Sequence, residues 1–460
     1  MRRIDHAGIE DALKGPGDFS PARVREVLAK ALELKGLSRA EVVTLLRVED
    51  DALLAECFET ARRVKREIYG NRIVYFAPLY VSNLCRNECV YCAFRASNAG
   101  LLRRALSQDE VRRETEALVA QGHKRVLLVS GEAYPFEGLR YVFDCLDTVY
   151  SVRTPRGEVR RVNVNVAPLS VPEFRELKTH RIGTYQCFQE TYHEETYRLL
   201  HPRGPKADYA GRLDTFDRAL EAGIQDVGVG VLFGLYDWRY DLLALLDHAA
   251  GLEKTFGVGP HTVSVPRIEP AEGSDFSRRP PHAVSDRDFK RIVAVLRMAV
   301  PYTGIILSTR ESVPMRRAAL ELGVSQVSAG SRTDPGGYSE TKKAGGQFSV
   351  SDTRPLMEVV RESLRAGHIP SFCTGCYRRG RVGKDFMDLA KPGLIKEHCL
   401  PNAMLTFAEY LCDFADADLS REGFGVIERM IQQDIPTDPL RERVRGLLDR
   451  VRKGERDLYL

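Results

Sequence analysis

The sequence lacks a long apolar run. Its longest, 227–236, carries three glycines and is about half the length that spans a bilayer. The opening MRRIDHAGIEDALKG has two arginines but no apolar stretch behind them, so it does not read as a secretory signal. These absences predict a cytoplasmic protein with no membrane partner. A strong charge bias is missing too. The net charge is +4 over 460 residues, which gives no footprint for nucleic acid. There is no low-complexity tract, no Walker motif, no Ser/His/Asp set for hydrolysis, and no repeat beyond a strand–helix alternation. What is present, 43% apolar and 29% charged residues, is the composition of an ordinary globular protein.

Length alone suggests roughly three domains of about 150 residues, but a (β/α)8 barrel uses about 250 as one unit. Eight short runs rich in Val, Ile and Tyr lie at 73–81, 126–130, 162–167, 184–189, 226–233, 262–268, 304–309 and 326–329. They are nearly free of charge, as strands buried on both faces are. Helix-period segments follow them, among them 107–121, 207–222, 242–256, 286–298 and 352–366. Ser107 with Glu110 forms a capping box. Gly122, Gly223, Gly257, Gly323 and Gly367 stand where left-handed helix ends are wanted. The pattern predicts an α/β chain with a closed TIM-type barrel, a doubly wound open sheet being the alternative. Residues 1–70 read as an N-terminal helical extension, 71–368 as the barrel, and 369–460 as a mainly helical C-terminal module in which the strand signal stops.

Of ten cysteines, six fall in two groups: Cys85, Cys89, Cys92 and Cys373, Cys376, Cys399. In a reducing compartment such clusters read as metal ligands. Cys85-x3-Cys89-x2-Cys92 follows the first strand directly. Three thiolates fill three corners of a 4Fe-4S cubane and leave one iron open to a chelating small molecule. Structural zinc wants four ligands, and no fourth Cys or His is near. Tyr91 could stack on a purine. Cys373-x2-Cys376-x22-Cys399 is less decided, because zinc could recruit Cys412 or His398 as a fourth ligand. Cys412 lies in the apolar pattern of 403–414 and reads as a core thiol. Arg378, Arg379, Arg381 and Lys384 suit either an anionic cluster or a solvated face.

The first group resembles the radical S-adenosylmethionine (SAM) superfamily, whose Cys-x3-Cys-x-aromatic-Cys motif is met by Cys85, Cys89, Tyr91 and Cys92. The resemblance implies that SAM chelates the open iron and yields a 5′-deoxyadenosyl radical. Ser130-Gly131-Glu132, ending strand two, is similar to the element that binds the SAM amino group, at the end of a barrel where active sites lie. Asn163, Asn165, Gln189, Glu190, Arg310 and Glu311 add polar strand ends suited to SAM and a zwitterion. In more detail the chain resembles the tyrosine lyases, in particular those that mature FeFe hydrogenase, through FAPLYVSNLCRNECVYCAFR, SGE, QETYH, PHTVSVPRIEP, STRES, SAGSRTDPGGY and CTGCYRRGRVG.

That resemblance implies L-tyrosine as substrate and cleavage of its Cα–Cβ bond to p-cresol and dehydroglycine. It further implies a second 4Fe-4S cluster on Cys373, Cys376 and Cys399, where carbon monoxide and cyanide form on iron, and a labile extra iron on His261. A ferredoxin- or flavodoxin-type electron donor and hydrogenase maturation partners go with it. Ser331-Arg332 is the candidate grip for the substrate carboxylate, since a guanidinium can hold it with two parallel hydrogen bonds. Alternatives are a 2-iminoacetate (dehydroglycine) synthase for thiamine thiazole, against which Cys373, Cys376 and Cys399 stand, and a non-enzymatic zinc scaffold.

Overall fold

The computed structural model describes residues 4–340 and 345–460. Nine strands run parallel: β1 (Arg72–Ser82), β2 (Arg125–Ser130), β3 (Arg161–Asn165), β4 (Tyr185–Gln186), β5 (Val227–Gly230), β6 (Thr262–Ser264), β7 (Gly304–Leu307), β8 (Gln326–Ser328) and β9 (Ile369–Ser371). The first eight pair in chain order, and β8 returns to β1 through Val74–Gln326, Tyr75–Val327 and Phe76–Ser328. The sheet is therefore a closed (β/α)8 barrel with its helices outside, not an open sheet. Strand side chains alternate as the pleat requires. Tyr75, Ala77, Leu79 and Val81 of β1 join the outer apolar core, while Phe76, Pro78 and Tyr80 face the interior.

The capping box forms as read: Ser107 N–H donates to Glu110 at 2.6 Å, and Glu110 N–H to Ser107 Oγ at 3.3 Å. Elsewhere the structure departs from the sequence pattern. The expected helix 207–222 is a 3-10 turn at Pro205–Ala207 followed by two short helices, Tyr209–Leu213 and Thr215–Glu221. Asp208 caps the first by accepting from Gly211 N–H at 2.9 Å, which restarts the chain instead of continuing it. Regular β4 shrinks to two residues, and Glu190, at φ +70°, turns the chain out of the strand direction. Gly323 is extended at φ 179°, so its value is space: a Cβ there would lie 2.9 Å from Arg297 Cβ.

The largest correction lies past residue 367, where a ninth strand was not expected. Arg72–Val74 of β1 pair with β9, whereas Ala77–Ser82 pair with β2. Val74 is bonded to β8 on one edge, so β9 occupies the other, continuing β1's ladder below the start of β2. Three residues with Pro370 at their centre are too short to show a period. Helix Ile395–Asp413 packs on β9, on β1 and on the N-terminal helix Asp51–Tyr69. Cys412 on this helix is exposed, not a core thiol; the apolar face turns Leu411 inward instead. No helix among the described residues is long and apolar enough to cross a membrane.

One buried carboxyl fixes the segment leaving β4. Asp241, in helix Trp238–Phe256, accepts from Thr191 Oγ1 at 2.9 Å and Tyr192 N–H at 2.7 Å. Burial raises its pKa from 3.8 to about 7. The native state then holds a proton that the unfolded chain has released. Stability falls as pH rises through that window, by at most about 1.4 kcal/mol per pH unit from this group. Asp241→Asn keeps the acceptor oxygen and removes the titration. Its melting temperature should gain on the parent between pH 5 and pH 8; parallel curves would show that Asp241 stays ionised.

Candidate active site and a second thiol site

The loop after β1 is built to hold three thiols over the C-terminal end of the barrel. Asn83 anchors it by donating to Leu102 O at 2.8 Å and accepting from Arg104 N–H at 2.7 Å. Arg103 donates to the carbonyls of Asn83 and Phe94 at 2.9 and 2.8 Å. Gly131 N–H bonds Ser82 O, and Ala133 N–H bonds Leu84 O. A Cβ on Gly131 would stand 2.2 Å from the Leu84 carbonyl oxygen, which is why glycine sits between Ser130 and Glu132. Its job is to let the thiol loop lie down on β2.

Cys85, Cys89 and Cys92 face one cavity that encloses about 1390 Å³, counting the part open to solvent. Burial raises all three thiols, Cys92 to about 11. Buried thiols of this kind become thiolates when a metal replaces the proton. Among the described residues no three His, Cys, Asp or Glu side chains converge tightly enough for a single ion. A cubane is larger than one ion and spreads its ligands, so the donor set fits it better than zinc.

Below the thiols lies a buried ionic network. Glu132 accepts from Arg212 at 2.8 Å and from Asn87 at 2.7 Å; Lys206 pairs with Glu190 at 2.6 Å. Burial alone would raise Glu132's carboxyl, but Arg212 and Lys206 outweigh it and hold the group below its usual range. Tyr91's hydroxyl meets His201 Nε2 at 2.7 Å, which fixes its ring in the cavity wall. Across the cavity Arg310 lies with its guanidinium 3.2 Å from the Phe348 ring centre, and burial lowers its pKa. Burial also raises Glu269. Ser331 Oγ is buried without a partner.

Of the residues singled out from sequence, Tyr91, Ser130, Gly131, Glu132, Asn165, Glu190, Arg310 and Ser331 line this cavity with the three cysteines. Asn163, Glu311, Gln189 and Arg332 do not: Asn163 accepts from Thr184 N–H at 3.0 Å, and Glu311 pairs with Arg267 at 2.9 Å. Gln189 donates to Tyr209 O at 3.4 Å, and Arg332 folds back on Ser331 O at 3.3 Å. Gln189 and Arg332 each lie past the last residue of their strand, beside a residue that points in, and the turn of the chain there sends them away. Sequence reading missed Lys206, Arg212, Gln347 and Phe348; Asn87 and Glu269 lay inside quoted motifs, unremarked.

The second group gathers at the opposite, N-terminal end. Cys373, Cys376 and Cys399 line a space of about 570 Å³ with His261, Arg72, Arg125, Arg381 and Tyr377. Arg125 of β2 donates to Cys373 O at 2.8 Å, and Gly375 N–H to Cys373 Sγ at 3.2 Å. A hydrogen bond from Cys376 lowers the Cys399 thiol against burial, helped by Arg72 and Arg381. Burial lowers His261, which keeps the imidazole neutral and able to ligate; its Nδ1 lies 3.6 Å from Asp226 Oδ1. His398 and Cys412, the possible zinc ligands, are not in this wall. Of the basic run after Cys376 only Arg381 is: Arg378 pairs with Asp457, and Lys384 with Asp388 at the surface. The two spaces share the barrel axis. Val74, Gln326 and Gly304 line the lower one, and Phe76, Ser328 and Ile306, two residues on, line the upper.

Residues 79–248 match the model of the Radical SAM superfamily. The 2-iminoacetate synthase of Salmonella typhimurium is 35% identical over 338 residues, 73% of this chain and 87% of that one. The chain belongs to the radical SAM superfamily. Membership implies a 4Fe-4S cluster and SAM. Residues 264–369 also match the Biotin and Thiamin Synthesis associated domain. Among solved structures, this radical SAM enzyme is similar to HydG, described as a maturase of the FeFe-hydrogenase, at 48% identity and TM-score 0.95 over 99% of both chains. HydG from Carboxydothermus hydrogenoformans is 40% identical at TM-score 0.84, with 96% and 97% covered.

Gly131→Ala should displace the thiol loop. The expected result is loss of iron from the upper site and roughly a hundredfold less 5′-deoxyadenosine. Gly446→Ala, in open space on a surface helix, should change neither; unaltered iron and turnover in Gly131→Ala would refute this packing role.

Proposed function

We propose that the protein is a tyrosine lyase of the hydrogenase-maturing kind, cleaving L-tyrosine to p-cresol and dehydroglycine and converting dehydroglycine to carbon monoxide and cyanide on iron. The observation that carries this reading is the lower site: a second thiol triad, with His261 and three arginines, at the far mouth of a barrel that already has one triad above. Likeness to HydG over nearly the whole chain supports it. On this reading Cys85, Cys89 and Cys92 hold one 4Fe-4S cluster, Cys373, Cys376 and Cys399 a second, and His261 an additional labile iron. When bound, the upper cluster and SAM supply a 5′-deoxyadenosyl radical. The route to electrons is a ferredoxin- or flavodoxin-type donor, and the products serve hydrogenase maturation partners.

The chain's own residues do the positioning. Glu132, held ionised by Arg212 and oriented by Asn87, receives the SAM ammonium beside Ser130. Asn165, Glu190 and the pinned ring of Tyr91 complete that wall. Arg310 grips the tyrosine carboxylate, with the unpartnered Ser331 hydroxyl as second donor. This moves the grip from Arg332, whose side chain lies outside the cavity. Glu269, raised by burial and near Arg310, takes the ammonium proton that tyrosine must lose before hydrogen is abstracted from its amine.

The 35% identity to 2-iminoacetate synthase favours a second reading, in which dehydroglycine itself is the product. Replacing both Cys373 and Cys376 by Ser separates the two. On the maturase reading, the folded variant with its upper cluster intact still forms p-cresol and 5′-deoxyadenosine but releases no carbon monoxide. Carbon monoxide at the parent rate would remove the lower site from that step, and a parent that makes none would establish the synthase reading. Arg310→Lys should raise the KM for tyrosine about tenfold, because a point charge cannot replace a planar fork. Arg332→Lys should leave it within twofold; the reverse ranking would return the carboxylate to Arg332.

A further inference from the structure

The hydrogen bonds reaching the upper thiols come mostly from the backbone, such as Phe94 N–H to Cys92 Sγ at 3.4 Å. Among the described residues one comes from a side chain: Gln347 Nε2 lies 3.8 Å from Cys92 Sγ. Gln347 is far away in sequence and is brought here by its backbone, which donates to Thr333 O at 3.0 Å and accepts from Ala93 N–H at 3.3 Å. Gly346 fits against Thr333 with no room for a Cβ, which would stand 2.4 Å from Oγ1. The amide's orientation is set at its other end, where Tyr80 OH donates to Gln347 Oε1 at 2.8 Å. A thiolate only accepts, so the NH2 must face Cys92, and the oxygen is left for the Tyr80 hydroxyl. Burial keeps Tyr80 protonated and therefore a donor.

We propose that Gln347 is a positioning residue for the redox step: its amide N–H, locked by Tyr80, stabilises charge on Cys92 and raises the reduction potential of the upper cluster. Adding an electron makes a thiolate-bound cluster more negative, and a dipole with its positive end on the sulfur favours that state. Hydrogen bonds to the sulfurs are among the factors that set such potentials. Glu132 and Glu190 lie in the same cavity wall, but each is already paired with a cation, Arg212 and Lys206, so these ion pairs leave little net charge beside the sulfurs. A neutral donor that cannot itself be reduced or titrated acts on the sulfur without disturbing that balance.

The proposal rests on Cys85, Cys89 and Cys92 being the cluster ligands, and the test reads that separately. Reconstituted enzyme is titrated anaerobically with a reductant while the SAM-responsive electron paramagnetic resonance signal is followed. Absence of that signal from the parent would refute the ligand assignment. With the signal present, Gln347→Leu should move the midpoint to more negative potential. At the parent's midpoint, the ratio of reduced to oxidised cluster should fall roughly tenfold, equivalent to about 59 mV for a one-electron couple. Tyr80→Phe, which removes the hydroxyl that orients the amide but no hydrogen bond to sulfur, should shift it in the same direction by less. An unchanged or more positive midpoint in Gln347→Leu, with a normal signal, would overturn the proposal. Should that variant fail to keep its cluster, Gln347→Met, which approaches the same size and carries neither a donor nor a charge, is read by the same criterion.

Discussion

A parallel sheet loses its free edges only when the last strand pairs with the first, and here that closure is a ladder of three residues between β1 and β8. Both sites depend on it. β1 is the longest strand, eleven residues. Its C-terminal end feeds the loop of Cys85, Cys89 and Cys92, and its N-terminal end carries Arg72 into the wall around Cys399. The strand therefore fixes the position of each thiol group relative to the other through buried backbone hydrogen bonds, which are expensive to break.

The second demand is electrostatic. Placing thiolates and SAM in one barrel mouth concentrates charge where water is scarce. Single buried charges are costly, whereas paired and hydrogen-bonded ones are tolerated. Glu132 with Arg212 and Asn87, and Lys206 with Glu190, meet that condition before any ligand arrives. Arg310 does not: it has an aromatic face and no carboxylate partner among the described ion pairs, a state suited to receiving an anion from outside. The lower site repeats the logic with the same sign, three arginines facing thiols that become anionic on binding metal.

The barrel was legible because its strands are buried on both faces and read as plain apolar runs. The upper thiols were legible because their spacing is local. Residues brought in from a distance were not. Lys206 and Arg212 sit in a stretch with a passable helical period, and only the cap at Asp208 and the break at Asp214 turn them into the cavity. Gln347 arrives on a segment without any period. Ser331 and Arg332 were read together for the guanidinium's chemistry, but the chain after β8 turns Ser331 into the cavity and Arg332 out of it. Residue type indicates what a side chain can do; the path of the backbone decides whether it is present to do it.

β9 carries a consequence for how the chain can be divided. A cut near residue 368 looks harmless on paper, since it falls between a helix and a thiol motif. It would strip the partner from Arg72, Ile73 and Val74, leaving an unpaired ladder at the mouth of the barrel. It would also uncover the apolar side chains that helix Ile395–Asp413 now shields. Exposed ladder beside exposed hydrophobic surface is a template for self-association. Aggregation of a shortened chain would then report a lost seam, and single substitutions at the thiols, which leave β9 in place, are the cleaner way to silence one end of this barrel.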